Sequence, residues 1–295
     1  RGIALTDHGN MFGIKEFYNY VNKKNADKPE KEKFKPILGC EMYVARERLT
    51  EHKDKRDNGY HLIVLAKNQK GYHNLVKLVS KAWTEGYYYK PRTDRYELEE
   101  HSEGLIVCSA CLGGQVPQLI MQDDLEGAEE LVLWHKRVFG DDYYLELQRH
   151  QTFKENANPE QVKVNEVLVA LARKHGIKLV ATNDVHFTNE EDGEAHDRLI
   201  CVSMGKTFNE PRMHYTKQEW LKTTAEMRKI FADIPEAIDN TQEILDKVEF
   251  YSIDHAPIMP NFEIPAEFGS EEEYRSRISE QELFDEFTRD ENGNV

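Results

Sequence analysis

No apolar run in the chain approaches the roughly 18 residues of a membrane-spanning helix, and no signal peptide is recognisable, so no membrane segment is expected and a cytoplasmic location is. Cysteine is scarce. The four thiols, Cys40, Cys108, Cys111 and Cys201, are too few and too scattered for a disulfide scaffold, which leaves reduced thiols or metal ligands. Positive charge is also short: 39 Lys and Arg against 54 Asp and Glu give a formal net charge of −15. Binding along a phosphate backbone rests on cationic side chains displacing counterions, so this chain is not by itself a general backbone binder. Any contact with nucleic acid has to be local or made by another domain.

What is present is enough for a sizeable core. The 295 residues, 39% hydrophobic and 32% charged, suit one large α/β domain or two smaller ones. The most informative stretch is KLVATNDVHF, Lys178 to Phe187. Leu179, Val180 and Ala181 read as a short buried strand after a helix closed by Gly176. Beyond it, Asp184 and His186 stand two apart, so in extended chain their side chains point the same way and can share a metal ion. Taken alone, Asn183-Asp184 reads more simply as a solvated turn.

Other strand ends carry the same residue types. Gly2 to Leu5 leads directly into Thr6-Asp7-His8-Gly9. Apolar residues at helical spacing follow over Asn10 to Val21, then a lysine-rich surface stretch to Lys35. Pro36 to Ala45 alternates as a strand with Glu41 at its middle beside Cys40, where a buried charge needs a partner. After a charged loop from Arg46 to Asp57, His61 opens another strand, followed by a helix from Asn68 to about Trp83 whose buried stripe is expected to be Leu75, Val76, Val79 and Trp83. Tyr87 to Arg95 (YYYKPRTDR) is an aromatic and basic loop, read as cover for the rim of the fold rather than a stacking surface for a nucleic-acid strand.

Leu105 to Cys108 is a buried strand running into Cys108-Ser-Ala-Cys111. No second Cys-x-x-Cys exists for a four-cysteine zinc site, so a single thiolate at the strand end is the economical ligand. Leu125 to Phe139 reads as a helix with Leu131, Val132 and His135 inward. Tyr143 to Leu147 is a strand flanked at its end by Glu146 and His150, which could support ligands from behind. Val162 to His175 is a helix. Strand and helix alternate about six times, which predicts parallel strands joined by crossover helices and hence a distorted barrel. Asp7, His8, Glu41, His61, a Cys108 or Cys111 thiol, Asp184 and His186 then gather at one rim. So many metal-type residues at strand ends favour a metal site over separate solvated turns.

Beyond Phe208 the pattern turns to helices without strands. Thr216 with Glu219 is read as a capping box before a helix carrying Leu221, Met227, Ile230 and Phe231, and Pro235 opens a second helix through about Lys247. Pro257, Pro260 and Pro265 mark an extended linker, and Glu271 to Val295 is acidic. The expected division is 1–208 as a barrel, 209–252 as a helical extension and 253–295 as a linker and the start of a further region. Beginning at Arg1 and ending in Asn-Gly-Asn-Val, the chain is expected to be a fragment cut at both ends.

Together TDHGNMFG, KPILGCEMYV, HLIVLAKNQKGYHNLVKLVS, GLIVCSACLGGQVPQ and ATNDVHF resemble the polymerase and histidinol phosphatase (PHP) domain at the amino terminus of bacterial DNA polymerase III alpha subunits. HYTKQEWLKTTAEMRKIF, PEAIDNTQEI and IMPNFEIP resemble the helices and linker that lead toward that polymerase's palm. The resemblance implies a distorted seven-stranded (β/α)7-type barrel with up to three divalent metals (zinc, manganese or iron) at its rim. By motif, His8, Glu41, His61, Cys111, Asp184 and His186 match ligand positions. Glu41 would bridge two metals, and Asp7, His8 and Glu41 would stand at the reacting centre, with Asp7 beside the cations rather than on one. The family's first His-x-His motif would lie upstream of Arg1, so fewer metals are expected here than in an intact domain.

The implied role is in DNA replication, within a DNA-directed DNA polymerase (a nucleotidyltransferase). The domain itself would supply a metal-dependent phosphoesterase site, plausibly a 3′ to 5′ proofreading exonuclease. The alternative is a non-catalytic structural module that stabilises the polymerase and binds the proofreading subunit. A free-standing phosphatase for a small metabolite fits less well, because of the polymerase-like helices after Phe208. The implied partners are DNA, through the full-length polymerase, and the proofreading exonuclease and sliding clamp. The isolated chain is not expected to extend DNA.

Overall fold

The computed structural model describes residues 1–53, 57–150, 158–260, 266 and 269–294. The middle of the charged loop (54–56), the end of IMPNFEIP including Pro265, and Val295 lie outside the described residues. Eight described strands form one curled sheet: β1 Gly2–Leu5, β2 Lys35–Val44, β3 Tyr60–Ala66, β4 Tyr87–Tyr88, β5 Lys90–Thr93, β6 Leu105–Cys108, β7 Tyr143–Gln148 and β8 Lys178–Thr182. Their order is β4-β5-β2-β3-β6-β7-β8, with β1 paired to the early part of β2.

The expectation of uniformly parallel strands is corrected at β3. It runs antiparallel to both β2 and β6, and β4 and β5 form an antiparallel hairpin, whereas β1/β2, β2/β5, β6/β7 and β7/β8 are parallel. The physical reason is the connection. Among the described residues no helix lies between β2 and β3 to carry the chain back along the sheet, and a parallel neighbour requires such a crossover. The reversal leaves the rim intact. His61 stands at the beginning of β3, opposite Tyr43 near the end of β2, so it faces the same end of the sheet as the carboxyl ends of the parallel strands.

The helices are α1 Ile14–Asn25, α2 Gln69–Thr84, α3 Arg95–Glu100, α4 Gln115–Met121, α5 Leu125–Phe139, α6 Pro159–His175, α7 Gly193–Met204, α8 Thr224–Ile230 and α9 Pro235–Lys247. Local signals set several ends. The Asn68 side chain accepts from Gly71 N, the Asp94 side chain accepts from Tyr96 N and Glu97 N, and Gly176 (φ +61°) closes α6 in the left-handed region. In α2, Leu75, Leu78, Val79 and Ala82 are buried while Trp83 is exposed; Trp83 instead donates its indole N–H to Gly9 O at 2.8 Å. Thr216 does bond to Glu219, but no helix starts there. The helix start is the capping box Thr223–Glu226 before α8.

Side chains alternate across the sheet with a period of two. On β7, Tyr143, Leu145 and Leu147 join the core against α5 and α6, whereas Tyr144 turns to the opposite face, packing with Ile37, Leu65, Ile106, Cys108 and Val180. Helix α9 covers this inner face: Ile244 packs into it, Tyr144 Oη donates to Glu243 at 2.7 Å and Asn240 Nδ2 donates to Leu179 O at 2.7 Å. The YYYKPRTDR stretch, expected as a loop, is the β4–β5 hairpin followed by the α3 cap. Its anchor is Arg92, only 1% exposed, which donates to the carbonyl oxygens of Leu49, Glu51, Asp57 and Gly86.

All of this belongs to one compact unit, Arg1–Ser252; Ile253–Val295 is a second. Within the second, the acidic tail forms two short helices, α10 Glu271–Arg277 and α11 Glu280–Thr288. Each is opened by a Ser/Glu capping box that the sequence reading did not pick out.

Candidate metal centre

Glu41 is the pivot of the rim. It lies in the last third of β2 and is 4% exposed, where a carboxylate survives only with partners. Its Oε1 lies 2.6 Å from His61 Nδ1 and 3.4 Å from His8 Nε2. Burial works against charge on Glu41, but the hydrogen bonds from His61 and His8 outweigh it and hold the carboxyl down at about 2. His8 is correspondingly raised, chiefly by its hydrogen bond to Glu41. One nitrogen or oxygen from each of His8, Glu41 and His61 falls within 4.8 Å of the others, close enough to share a cation.

The His8 loop is held from three sides. Gly9 (φ +67°) makes the sharp turn after it, Gly9 N donates to Glu41 O at 2.8 Å, and Trp83 caps Gly9 O. His61 is packed edge-on against the Tyr43 ring, with centroids 5.2 Å apart.

Of the two neighbouring cysteines, Cys108 is buried on the inner wall of the strand, and Cys111 reaches the cluster. Cys111 Sγ lies 3.5 Å from His61 Nδ1 and 3.8 Å from Glu41 Oε1. Burial, reinforced by the charges of Glu41 and Asp184, pushes its thiol pKa far up, so it is a thiol until a cation displaces the proton. Gly113 N already points at the sulfur at 3.4 Å.

Asp184 and His186 flank the same cluster. The His186 ring is 6.0 Å from that of His8, and its Nδ1 is 3.8 Å from Asp184 Oδ1. Asp184 sits at φ +44°, a left-handed turn of the kind a polar strand end takes, and its carboxyl is raised by burial and by the nearby Glu41 charge. The loop is clamped to the segment that precedes α8. Asn183 Nδ2 donates to Gln218 O and Trp220 O, His186 N donates to Glu219 O, and Tyr215 Oη is 3.1 Å from His186 Nε2. Sequence reading missed Tyr215 and Glu219 here. The Thr216–Glu219 box was its one signal, and it was read as a helix start.

Asp7 is not brought into the cluster. Its Oδ2 lies over Gly13, just before α1, 2.9 Å from where a Cβ would sit, and its carbonyl accepts from Glu41 N. His150 also stands aside, bonded to Asn183 O at 3.0 Å. Imidazoles, a carboxylate held ionised and a displaceable thiol make a mixed N, O and S donor set that fits manganese, zinc or iron without selecting among them. In a second group, Glu97 with Glu100 and His101, Glu97 is already paired with Lys81 and Arg48.

Comparison with known proteins follows these contours. Residues 1–150 match the family model described as the PHP domain. The chain is 43% identical over 282 residues to the DNA polymerase III subunit alpha of Borreliella burgdorferi, covering 94% of this chain and 23% of that protein. It is 40% identical over 291 residues to that of Treponema pallidum (97% and 24%) and 43% identical over 250 residues to that of Thermus aquaticus (82% and 19%). The chain therefore spans at most about a quarter of the length of these relatives.

Proposed function

The chain belongs to the PHP domain family, and from that premise we propose that it is the PHP region of a DNA polymerase III alpha subunit, working in DNA replication with a metal-dependent phosphodiesterase site at its rim. The observation that carries this reading is the convergence on Glu41 Oε1 of His61 Nδ1, His8 Nε2 and Cys111 Sγ, from three separate stretches of chain. We assign His8, Glu41, His61, Cys111, Asp184 and His186 as the residues that hold divalent cations.

When bound, such cations supply Lewis-acid polarisation of a phosphodiester and activation of water, so no nucleophilic side chain is required. The chain's own residues do the rest. Glu41, ionised at neutral pH, provides the fixed negative charge. His61 and His8 are oriented by it, and Tyr215 orients His186 through Nε2. Lys90 on the hairpin, over the Tyr43 ring at 5.3 Å, is a cation whose charge reaches His8 and which could receive a phosphate from solvent. With a net charge of −15, the chain admits nucleic acid only at such local points. In this reading the reaction is removal of nucleotides from a DNA 3′ end, and the proofreading exonuclease and sliding clamp are partners of the whole cytoplasmic polymerase. Among the described residues no helix is long and apolar enough to cross a membrane.

The test is release of nucleotides from 3′-labelled single-stranded DNA with manganese, against Glu41→Gln and His61→Ala. Activity in the parent chain, lost in both variants, supports the reading, and equal residual activity in all three rejects it. A scaffold role is favoured by one observation of its own. The Glu41–His61 pair already satisfies the buried carboxylate through protein contacts, so the rim can hold the barrel together without turnover.

A further inference from the structure

The donors at the rim come from nearly every long strand of the sheet. His8 follows β1, Glu41 is on β2, His61 opens β3, Cys111 follows β6, and Asp184 and His186 follow β8. Strand β7, between β6 and β8, contributes none of these. Its residue at the corresponding end is Glu146, alternating with the outward-facing Leu145 and Leu147 and therefore on the inner wall with Tyr144.

Glu146 is 4% exposed. Its backbone N–H donates to Ser109 Oγ at 2.8 Å, which ties β7 to the turn that carries Cys111. Oε1 accepts from Gln148 Nε2 at 3.1 Å and from Thr182 Oγ1 at 2.5 Å, two residues before Asp184. Oε2 is buried and, among the described residues, has no hydrogen-bond partner. An unpaired carboxylate oxygen in such a place costs free energy unless something binds it. The charges that Glu146 feels are those of Asp184 and Glu41, and Cys111 in turn feels Glu146. Glu146, Asp184, Glu41 and Cys111 thus lie within electrostatic reach of one another, a concentration of negative charge that a cation relieves.

We propose that Glu146 is a further cation-binding residue of this centre, its free Oε2 completing the Cys111–Asp184 side of the donor ring for a divalent ion of the manganese or zinc class. The inference rests on the metal-centre reading above. It differs from a purely structural role for Glu146 in what it requires of Oε2, since Oε1 alone serves the Gln148 and Thr182 bonds.

The test is manganese binding to the purified chain by calorimetry and elemental analysis, comparing the parent with Glu146→Gln. The glutamine keeps a carbonyl acceptor for Thr182 and Gln148. The expected result is loss of one equivalent, or affinity lower by roughly tenfold or more, with circular dichroism and melting unchanged. Parent-like stoichiometry and affinity in the variant overturn the inference while leaving the metal centre standing; no binding to the parent removes both. A manganese-soaked crystal of the parent decides the matter even if the variant fails to fold. An anomalous peak at bonding distance from Glu146 Oε2 supports the inference, and peaks confined to the His8, Glu41 and His61 side reject it.

Discussion

Glu41 Oε1 and His61 Nδ1 meet at 2.6 Å across the β2–β3 ladder, two residues out of direct register, since it is Tyr43 that pairs with His61 and Ile63 that pairs with Glu41. The diagonal brings a buried carboxylate and an imidazole to the same end of two antiparallel strands. Most of what the rim can do follows from that contact.

Its first consequence is a pH dependence in the cation-free chain. Glu41 is lowered from an ordinary 4.5 to about 2, so its contribution to stability is present above pH 4.5 and is lost as the pH falls toward 2. Its size is on the order of 3 kcal/mol. His8, raised by the same contact, adds a contribution that is present below its ordinary 6.5 and fades as the pH rises through its folded value. Urea unfolding of the parent and Glu41→Gln should therefore differ most near pH 5–6 and converge only as the pH falls to about 2. A difference constant with pH would contradict this.

Cation loading should release protons. The Cys111 thiol is raised by burial and by Glu41 and Asp184, and becomes a ligand only as thiolate. Apparent zinc affinity is expected to climb between pH 6 and 8. Calorimetry in buffers of different ionisation enthalpy should show proton release that falls by about one per ion in Cys111→Ser.

The loop after His8 is set by a residue far from it in sequence. Removing the Trp83 indole donor by Trp83→Phe frees Gly9 O and should cost about 1 kcal/mol of stability. Metal affinity should weaken several-fold, because His8 is then less well placed. Unfolding curves and manganese titrations together check this, and unchanged affinity would show that the Trp83 bond does not position His8.

Arg92 should matter to folding alone. It donates to four carbonyl oxygens from inside the protein, so Arg92→Ala removes the side-chain donor from all four, with only Gly86 O keeping a bond from the backbone N–H of residue 92, and should destabilise the chain by about 3 kcal/mol or more, with Arg92→Lys recovering little. Chemical denaturation measures both.

Much of the site was legible because its residues sit at the ends of short apolar runs, where the chain must leave the core and polar chemistry is exposed to one rim. His8, His61, Asp184 and His186 could be named this way, and Glu41 as a charge inside a strand that needs a partner; between Cys108 and Cys111 only the family resemblance chose. The direction of β3 could not be, because an apolar run has the same period whichever way it points. His61 reached the right end only because it begins its strand rather than ending it. Trp83 was misjudged because helical spacing counts a large ring as core even when a carbonyl at the surface holds it. The hairpin hid behind three tyrosines and a proline, and Arg92, a residue normally exposed, gave no hint of being its anchor. Tyr215 meets His186 across 29 residues of chain, a contact that no local pattern encodes. Helix α7 and the two short helices of the second unit were passed over in acidic or mixed sequence.

The central claim, a metal centre organised on Glu41, is tested most directly by elemental analysis of the chain purified without chelator, alongside Glu41→Gln and His61→Ala. The account predicts at least one equivalent of manganese, zinc or iron per parent chain, and its loss in both variants while they remain folded. Absence of stoichiometric metal from the parent, or equal metal in all three, would contradict it.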